Sequence, residues 1–253
     1  MGHSSKRVGG HRGRGHRYRY LTRRRDSPVI GRQNDGMDPA ALAALRRSYE
    51  LAGLDTEDVD GDPLMQFQRW LADAIAAEFR EPNAMVLATS DASGQPRARS
   101  VLLKGVTTEG FMFFTNYEST KAHHLQENPK ASLCFPWWDL ERQVIVEGLV
   151  SRTSREVSGQ YFRSRPHGSQ LGALTSPQSR VVASREVLTD RFAELGEQYP
   201  EGDEVPLPDH WGGYFVAPTV IEFWQGRSNR MHDRVRYRRP TSAAPWVIER
   251  LAP

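Results

Sequence analysis

The 253-residue sequence predicts an α+β protein built on an antiparallel β-barrel with peripheral helices. Short runs rich in Val, Leu, Met and Phe occupy residues 84–90, 98–106 and 110–115. The connections between them are too short for a parallel crossover, which needs about a dozen residues or more. The chain also lacks the Gly-x-Gly-x-x-Gly and Gly-x-x-x-x-Gly-Lys-Ser/Thr loops, so side chains would have to hold any bound nucleotide or phosphate.

Two helices are expected before the first strand. The first is a short helix over residues 38–51. After an acidic linker at residues 55–62, Pro63 begins a second helix, in keeping with the preference of proline for the first helical turn. Apolar residues at three- and four-residue spacing predict one buried face of this helix: Leu64, Phe67, Leu71, Ile75 and Phe79.

The rest of the chain alternates strands and helices. Ser119 is the expected N-cap of a helix through Leu125, which Asn128-Pro129 ends. Helices are also expected at residues 154–164 and 184–199, and strands at residues 131–137, 143–151, 214–218, 219–224, 235–239 and 246–250.

Composition indicates a soluble, cytoplasmic protein. Hydrophobic residues make up 38% of the chain and charged residues 26%, as in ordinary globular domains. No apolar run approaches the ~20 residues that span a bilayer, and the N-terminus has no hydrophobic signal core. The single cysteine, Cys134, excludes an internal disulfide and is interpreted as a buried apolar residue, not a nucleophile.

The net charge of +3 is unevenly distributed. Residues 1–36 carry ten Lys or Arg against two Asp, whereas the remainder of the chain is net acidic. This Gly-, Arg- and Ser-rich tail is predicted to be disordered, and residues 37–253 to form the folded domain. The tail, with Tyr18 and Tyr20, could be a basic arm that touches nucleic acid. We favour a solvated tail, or translation that begins at Met37.

Metal ligation has little support. His123 and His124 are adjacent on a predicted helix, where neighbours diverge by about 100°. No Cys pair and no His-Glu-x-x-His sequence is present. Both histidines are predicted to lie at the surface, and no metal site is expected.

Basic residues interrupt otherwise apolar strands. Arg99 and Lys104 bracket an apolar run, but they would lie on opposite faces of an unbroken strand. A bulge, or a site that spans two strands, must therefore reconcile them if both contact one ligand. A buried lysine needs an anion, which makes phosphate a natural partner. The alternative is an exposed edge strand with solvated ends.

A second candidate cluster contains Tyr161, Arg165 and Ser169. The first two are four residues apart on a predicted helix, so they share a face, and Ser169 lies just beyond the helix end. A guanidinium, a phenol and a hydroxyl could together bind a phosphate. An ordinary helix surface is the alternative.

The third cluster is Arg230-x-His232-x-Arg234. On a strand, alternation would place all three side chains on one face. Such a face requires an anionic or electron-rich ligand to offset the repulsion. Trp224 could flank a planar ring there, and Phe223, Trp224 and Met231 imply burial nearby.

At these residues the chain resembles the pyridoxine/pyridoxamine 5′-phosphate oxidase family. The resemblance runs from about Leu45 to Pro253. Its motifs are Arg-Ser-Val-Leu-Leu-Lys, Phe-Phe-Thr-Asn-Tyr, Glu-Arg-Gln-Val, Tyr-Phe-x-Ser-Arg-Pro, Phe-Trp-Gln-Gly-Arg, Arg-Met-His-Asp-Arg and the terminal Arg-Leu-Ala-Pro. Thr120 departs from the family, which usually has Arg there, so one contact to the cofactor phosphate is expected to be weaker.

The resemblance implies a homodimer of FMN-binding split barrels with FMN at the subunit interface. It assigns FMN contacts to Arg99, Ser100, Val101, Leu102, Leu103, Lys104, Phe114, Thr115, Lys121, Gln143, Gln178, Ser179, Trp224 and Arg234. It assigns the substrate phosphate to Lys104, Tyr161, Arg165 and Ser169, and the substrate ring to Arg230 and His232, which are the candidate catalytic residues. Arg46 and Tyr49 match a mobile segment that closes over the substrate.

The implied reaction is the oxidation of pyridoxamine or pyridoxine 5′-phosphate to pyridoxal 5′-phosphate by dioxygen, with release of hydrogen peroxide. One alternative within the fold is a flavin reductase with a nicotinamide donor, which would not need the second cluster. A colourless nucleic-acid-binding module with a basic tail is the alternative from another class.

Overall fold

The fold is known from a computed structural model, which describes Tyr49, Leu51 and residues 53–253. The tail at residues 1–36, the proposed domain start at Met37 and most of the helix expected over residues 38–51 lie outside the described residues.

The described chain contains five helices and nine strands. In order they are α1 (Pro63–Ala76), β1 (Ala84–Ser90), β2 (Pro96–Leu102), β3 (Gly105–Thr107), β4 (Gly110–Asn116), α2 (Thr120–Glu127), β5 (Lys130–Trp137), β6 (Arg142–Arg152), α3 (Arg155–Ser164), α4 (His167–Thr175), α5 (Arg185–Gln198), β7 (Trp211–Gln225), β8 (Asp233–Arg238) and β9 (Val247–Leu251). Short 3₁₀ turns lie at Trp138–Leu140 and Ser228–Arg230.

All nine strands form one antiparallel sheet. Its order is β2-β1-β5-β6-β7-β4-β3, and β8 and β9 continue from the second half of β7. The sheet curls into a half-barrel, and the predicted antiparallel barrel with peripheral helices is therefore confirmed. No described helix is long and apolar enough to cross a membrane.

Strand β7 organises the sheet because it changes partner along its length. Its first half pairs with β4 and its second half with β8, while β6 runs along both halves. The β6–β7 register shifts opposite Thr219, next to Pro218, which has no N–H to donate. The prediction of two strands at residues 214–218 and 219–224 is wrong, since a bulge within one strand lies at the predicted boundary.

Helix α1 fills the concave side of the curled sheet. Asp62 caps it by accepting a hydrogen bond from the Leu64 N–H. The Phe67 ring is fully buried, and its centroid lies 4.8 Å from that of Phe135. Trp70 packs against Phe223 with a 5.1 Å separation. The predicted face is partly wrong, because Ile75 is exposed.

A smaller apolar cluster holds α3, α4 and α5 at the start of β7. It includes Phe162, Leu171, Leu195 and Trp211. Ser154 caps α3 through a hydrogen bond from the Val157 N–H, as a Ser at that position predicts. Helix α4 was missed by the sequence analysis, and it places Ser169 within a helix.

Candidate functional site

A cavity of about 610 Å³ lies between β2, β4 and the small helical cluster. Twelve of the residues assigned to FMN or to the substrate phosphate line it: Arg99, Ser100, Val101, Leu102, Lys104, Phe114, Thr115, Lys121, Tyr161, Arg165, Ser169 and Gln178. The structure therefore brings together residues that are up to 79 positions apart in the sequence.

A break in the backbone reconciles Arg99 with Lys104. Strand β2 ends at Leu102 and β3 begins at Gly105, so Lys104 lies between two strands and both cations line the cavity. The expected burial of Lys104 is wrong, since this residue is exposed. Leu103 points elsewhere, because its side chain is buried in the main core.

Lys121 is the buried lysine of the cavity, with a relative exposure of 8%. Its ammonium donates to three uncharged oxygens: Thr115 Oγ1 at 3.0 Å, Ser119 Oγ at 3.2 Å and Gln178 Oε1 at 2.7 Å. Burial, together with the smaller effect of the neighbouring positive charge of Arg99, lowers the Lys121 pKa from 10.5 to about 8. An anion in the cavity would oppose both effects.

Arg165 caps α3 and reaches into the same cavity. Its guanidinium carbon lies 4.8 Å from the centroid of the Trp211 ring. Burial lowers the Arg165 pKa. Among the described residues, its buried Nη1 has no hydrogen-bond partner, so a polar group is required there.

An aromatic stack supports this end of the cavity. The Phe114 ring lies 4.1 Å from Tyr161 and 5.6 Å from Trp211, and both pairs are nearly parallel. Sequence reasoning missed Trp211 and several small or polar lining residues, namely Asn116, Pro166, Gly172, Ala173 and Ser176. No spacing signal marks them, because Asn116 ends β4, Trp211 begins β7, and the others lie in the missed α4 or at its caps.

No described ion pair neutralises the cations of the cavity. Within the described part of the chain, none of the four basic side chains pairs with a carboxylate: Arg99, Lys104, Lys121 and Arg165. Four cations without a carboxylate indicate a site for an anion carrying more than one charge.

Four other candidate residues lie together at the far end of β7 and are called the row: Gln143, Trp224, His232 and Arg234. Gln143 on β6 faces Trp224 on β7, which faces Arg234 on β8, so these three side chains share one face of the sheet. Arg234 is held by the Glu222 carboxylate through Nε at 2.8 Å and Nη2 at 3.0 Å. This pairing raises the Arg234 pKa and fixes the orientation of the guanidinium group.

Tyr49 and His232 complete an aromatic cluster around Trp224. The His232 and Trp224 centroids are 4.7 Å apart, and the Tyr49 ring meets each of them edge-on at 5.7–5.8 Å. The Arg227 N–H donates to His232 Nδ1 at 3.1 Å, so a neutral His232 carries its proton on Nε2.

The expected strand alternation of Arg230, His232 and Arg234 is wrong. Arg230 lies in a 3₁₀ turn with a φ of 62°, and β8 begins only at Asp233. Arg230 and Met231 are exposed, whereas Phe223 is fully buried and Trp224 is half-buried, so the inferred burial is confirmed on β7 and wrong at Met231. Arg230 therefore lies in a turn beside the row.

The cavity and the row lie at opposite ends of one strand. Trp211 begins β7 and lines the cavity, whereas Trp224 is thirteen residues further along, a strand contour of roughly 40 Å. Neither Gln143 nor His232 lines the cavity. Ser179 is exposed and absent from the lining, and Arg46 lies outside the described residues.

Two side chains outside the predicted set need correction. His123 is exposed as predicted, but His124 is buried at 6% exposure, since it lies on the same face of α2 as Lys121. Cys134 is half-buried on the outer face of β5, and burial raises the pKa of its thiol. The described residues contain no cluster of three or more potential metal ligands among His, Cys, Asp and Glu.

Two sequence families match the chain. The family described as pyridoxamine 5′-phosphate oxidase matches residues 71–199. The family described as pyridoxine 5′-phosphate oxidase C-terminal dimerisation region matches residues 211–253.

Curated relatives that share one name match this chain over nearly their whole length. A pyridoxine/pyridoxamine 5′-phosphate oxidase from Salinibacter ruber is 53% identical over 212 residues, which cover 84% of this chain and 99% of that protein. The protein of that name from Paraburkholderia phymatum is 53% identical over 214 residues, covering 85% of this chain and all of the relative.

Solved structures show the same fold. PhzG from Burkholderia lata 383, in complex with tetrahydrophenazine-1-carboxylic acid, is 28% identical with a TM-score of 0.76, covering 82% of this chain and 100% of PhzG. A pyridoxamine 5′-phosphate oxidase-related, FMN-binding protein from Nostoc punctiforme has a TM-score of 0.59 at 16% identity, covering 74% of this chain and 97% of that protein.

Proposed function

This chain belongs to the pyridoxine/pyridoxamine 5′-phosphate oxidase family, and we propose that it uses FMN and dioxygen to form pyridoxal 5′-phosphate from pyridoxamine and pyridoxine 5′-phosphates, releasing hydrogen peroxide. It is an oxidoreductase of this kind and takes part in pyridoxal phosphate biosynthesis. The observation that carries the detailed proposal is the set of four cations without carboxylate partners around one cavity. We further propose the cytoplasmic location that composition indicates.

The residues of the cavity fit the phosphate of FMN. We assign this phosphate to Arg99 and Lys121, because both are cationic, both line the cavity, and each lacks a carboxylate partner among the described residues. Thr115 and Gln178 already hold the Lys121 ammonium and would fix its direction. Bound FMN would supply the two-electron acceptor, while the protein supplies position and charge.

A second phosphate group, that of the substrate, fits the other side of the cavity. Tyr161 on α3, Arg165 at its C-cap and Ser169 on α4 line the cavity, as does Lys104. The buried Arg165 Nη1 without a partner supports this assignment, because a phosphate oxygen would satisfy it. The ligand in the PhzG structure is a carboxylic acid without phosphate, so phosphate dependence distinguishes the two chemistries.

The row at the far end of β7 is proposed to contact the two ring systems. Trp224, Gln143 and Arg234 would face the flavin, and Arg230 and His232 the pyridine ring. His232 presents Nε2–H as a donor because its Nδ1 is held by the Arg227 N–H. We propose that Arg230 holds the substrate ring and that His232 assists binding or proton handling.

The cavity and the row can contact the same FMN and substrate if two copies of the chain associate. Since the cavity and the row are separated along β7, we propose that the cavity of one protomer faces the row of its partner in a homodimer. The match of residues 211–253 to a dimerisation region supports this arrangement.

The outer face of the central strands offers a surface for that contact. It carries small, half-buried, mostly apolar side chains and few charges: Val86, Ala88, Ser132, Cys134, Pro136 and Ile145. Pairing such faces about a twofold axis would remove apolar surface from water without burying unpaired charge.

The direct test is peroxide production by the purified flavoprotein. Pyridoxamine and pyridoxine 5′-phosphates should both yield peroxide and pyridoxal 5′-phosphate, while unphosphorylated pyridoxamine should react far more slowly. A protein that oxidises NADH in preference would be a flavin reductase. A colourless protein with salt-sensitive affinity for RNA would contradict the proposal and favour the nucleic-acid module.

A further inference from the structure

A chain of buried hydrogen bonds leads from Arg99 away from the cavity. Arg99 Nη1 donates to Thr89 Oγ1 at 2.7 Å and to the Leu87 carbonyl at 3.1 Å. On its other side, Thr89 Oγ1 lies 3.3 Å from His124 Nδ1. Thr89 and His124 are only 4% and 6% exposed, so water does not compete for these bonds.

Arg99 fixes the direction of the first hydrogen bond in this chain. A guanidinium can only donate, so the Thr89 oxygen accepts from Arg99 and its own hydroxyl proton is free to point at His124. In the tautomer of His124 that carries its proton on Nε2, Nδ1 accepts that hydroxyl proton. The order Arg99 to Thr89 to His124 thus orients the hydroxyl, and the hydroxyl in turn holds one nitrogen of the Arg99 fork.

Helix α2 connects this chain with the second cation of the phosphate site. Lys121 and His124 are three residues apart on its buried face, so the helix supplies one cation directly and supports another through Thr89. The positive charge of Arg99 lowers the Lys121 pKa, which shows that the two cations act on one region. Nothing else in the proposed function uses Thr89 or His124.

We propose that Thr89 and His124 are positioning residues for the cofactor phosphate, with His124 acting on Arg99 through the Thr89 hydroxyl. This inference rests on the proposed role of Arg99 toward FMN. It assigns a function to a histidine that sequence analysis placed at the surface. It also supplies an ordered guanidinium at a site where Thr120 replaces the arginine usual in the family.

The test measures the affinity of the full-length protein, stripped of FMN, for FMN and for riboflavin by quenching of flavin fluorescence. Thr89→Val removes the hydroxyl at nearly constant shape and should raise the Kd for FMN about tenfold, as expected for one lost hydrogen bond to a charged group. His124→Leu should raise it several-fold, whereas His124→Gln, which keeps an acceptor, should stay near the parent. His123→Leu, on the exposed face of α2, is the matched control and should change nothing.

Riboflavin separates positioning from a general structural effect. It lacks the phosphate, so its Kd should be almost unchanged in Thr89→Val and His124→Leu. The two substitutions should also be non-additive when combined, because each breaks the same chain. Equal weakening of FMN and riboflavin, equal effects of His124→Leu and His124→Gln, or full additivity would overturn the proposal.

Arg99→Met distinguishes this inference from the function on which it rests. If Arg99→Met weakens FMN binding but Thr89→Val does not, the positioning chain is refuted while the phosphate assignment stands. If Arg99→Met leaves the affinity for FMN unchanged, the assignment of Arg99 is itself wrong and the inference is overturned with it.

Discussion

The ring of Tyr49 contacts Gly226 so closely that a Cβ atom at residue 226 would lie 2.7 Å from Tyr49 Cγ. The φ of Gly226 is outside the left-handed region, so the Tyr49 side chain, and not the backbone conformation, excludes a larger residue at position 226. The glycine of the Phe-Trp-Gln-Gly-Arg motif therefore leaves room for Tyr49 beside Trp224 and His232.

Gly226→Ala should displace Tyr49 and weaken substrate binding. The overlap forces the Tyr49 ring to shift, which costs about 1–3 kcal/mol, so the KM for pyridoxamine 5′-phosphate should rise on the order of tenfold. The Kd for FMN should change little. Gly196→Ala, at a helical glycine with no atom within 4 Å of the added Cβ, is the control. An unchanged KM would show that Tyr49 does not contribute to binding.

Asp233 and Arg250 tether the segment that follows Tyr49. Asp233 Oδ2 accepts the Leu54 N–H at 3.1 Å, and Arg250 bonds both Asp233 Oδ1 and the Leu54 carbonyl at 2.9 Å. Asp233→Asn should therefore increase the hydrogen-exchange rate of the Leu54 amide about tenfold, since a partly buried charged hydrogen bond is lost. Glu194→Gln, which breaks an exposed ion pair with Arg191, should leave exchange at Leu54 unchanged. Equal exchange in Asp233→Asn and the parent would disprove the tether.

The Lys121 pKa of about 8 predicts a pH dependence of cofactor binding. Only the ammonium form attracts phosphate, so the affinity of the FMN-free protein for FMN should fall as the pH rises through about 8. Lys121→Arg should shift this fall to higher pH, because arginine stays protonated. Riboflavin should show no such fall, and a fall shared by riboflavin or by Lys121→Arg would rule out Lys121 as its cause.

The same pKa shift affects stability with the opposite sign. The folded value of about 8 lies below the ordinary 10.5, so between these values the unfolded chain binds more protons than the FMN-free folded protein. The contribution of Lys121 to the free energy of unfolding should therefore rise with pH across that window. Denaturant titrations of the FMN-free protein and of Lys121→Met at pH 7.5 and 9.5 would measure it. An identical pH dependence in both would contradict this attribution.

Arg165→Met should reduce the preference for phosphorylated substrate. Loss of a hydrogen bond to a charged group corresponds to about a tenfold to hundredfold rise in the KM for pyridoxamine 5′-phosphate. The rate with unphosphorylated pyridoxamine should change much less. Arg163→Met, at an exposed position of the same helix, should behave as the parent. An equal loss of activity with both substrates would show that Arg165 stabilises the fold and does not bind the phosphate.

Local signals in the sequence predicted most elements but not how β7 is shared. Turn residues and short connections located β1 and β4, and Ser154 marked the start of α3, because these features depend on neighbours in the chain. The pairing of β7 with both β4 and β8 depends on contacts distant in sequence, so its bulge at Thr219 was taken for a strand boundary.

The candidate site was predicted residue by residue from motifs, and its geometry was not. Strand periodicity failed at Arg230 because a turn with positive φ lies there. The surface prediction for His124 on α2 failed for another reason, because the burial of this residue depends on packing against Thr89 from a strand. The separation of Trp224 from the cavity is invisible in the sequence, since it follows from which partner each half of β7 has.

In the proposed homodimer, the cavity of one protomer and the row of its partner form one site. Arg165→Met changes the cavity and His232→Ala changes the row, so each homodimer should have low activity at limiting pyridoxamine 5′-phosphate. When the two variants are unfolded together and refolded as a mixture, half of the dimers should be mixed, and each mixed dimer should contain one intact site. Peroxide production by the mixture should then recover to about a quarter of the parental rate. A mixture no more active than the average of the two variants would show that each chain forms its site alone.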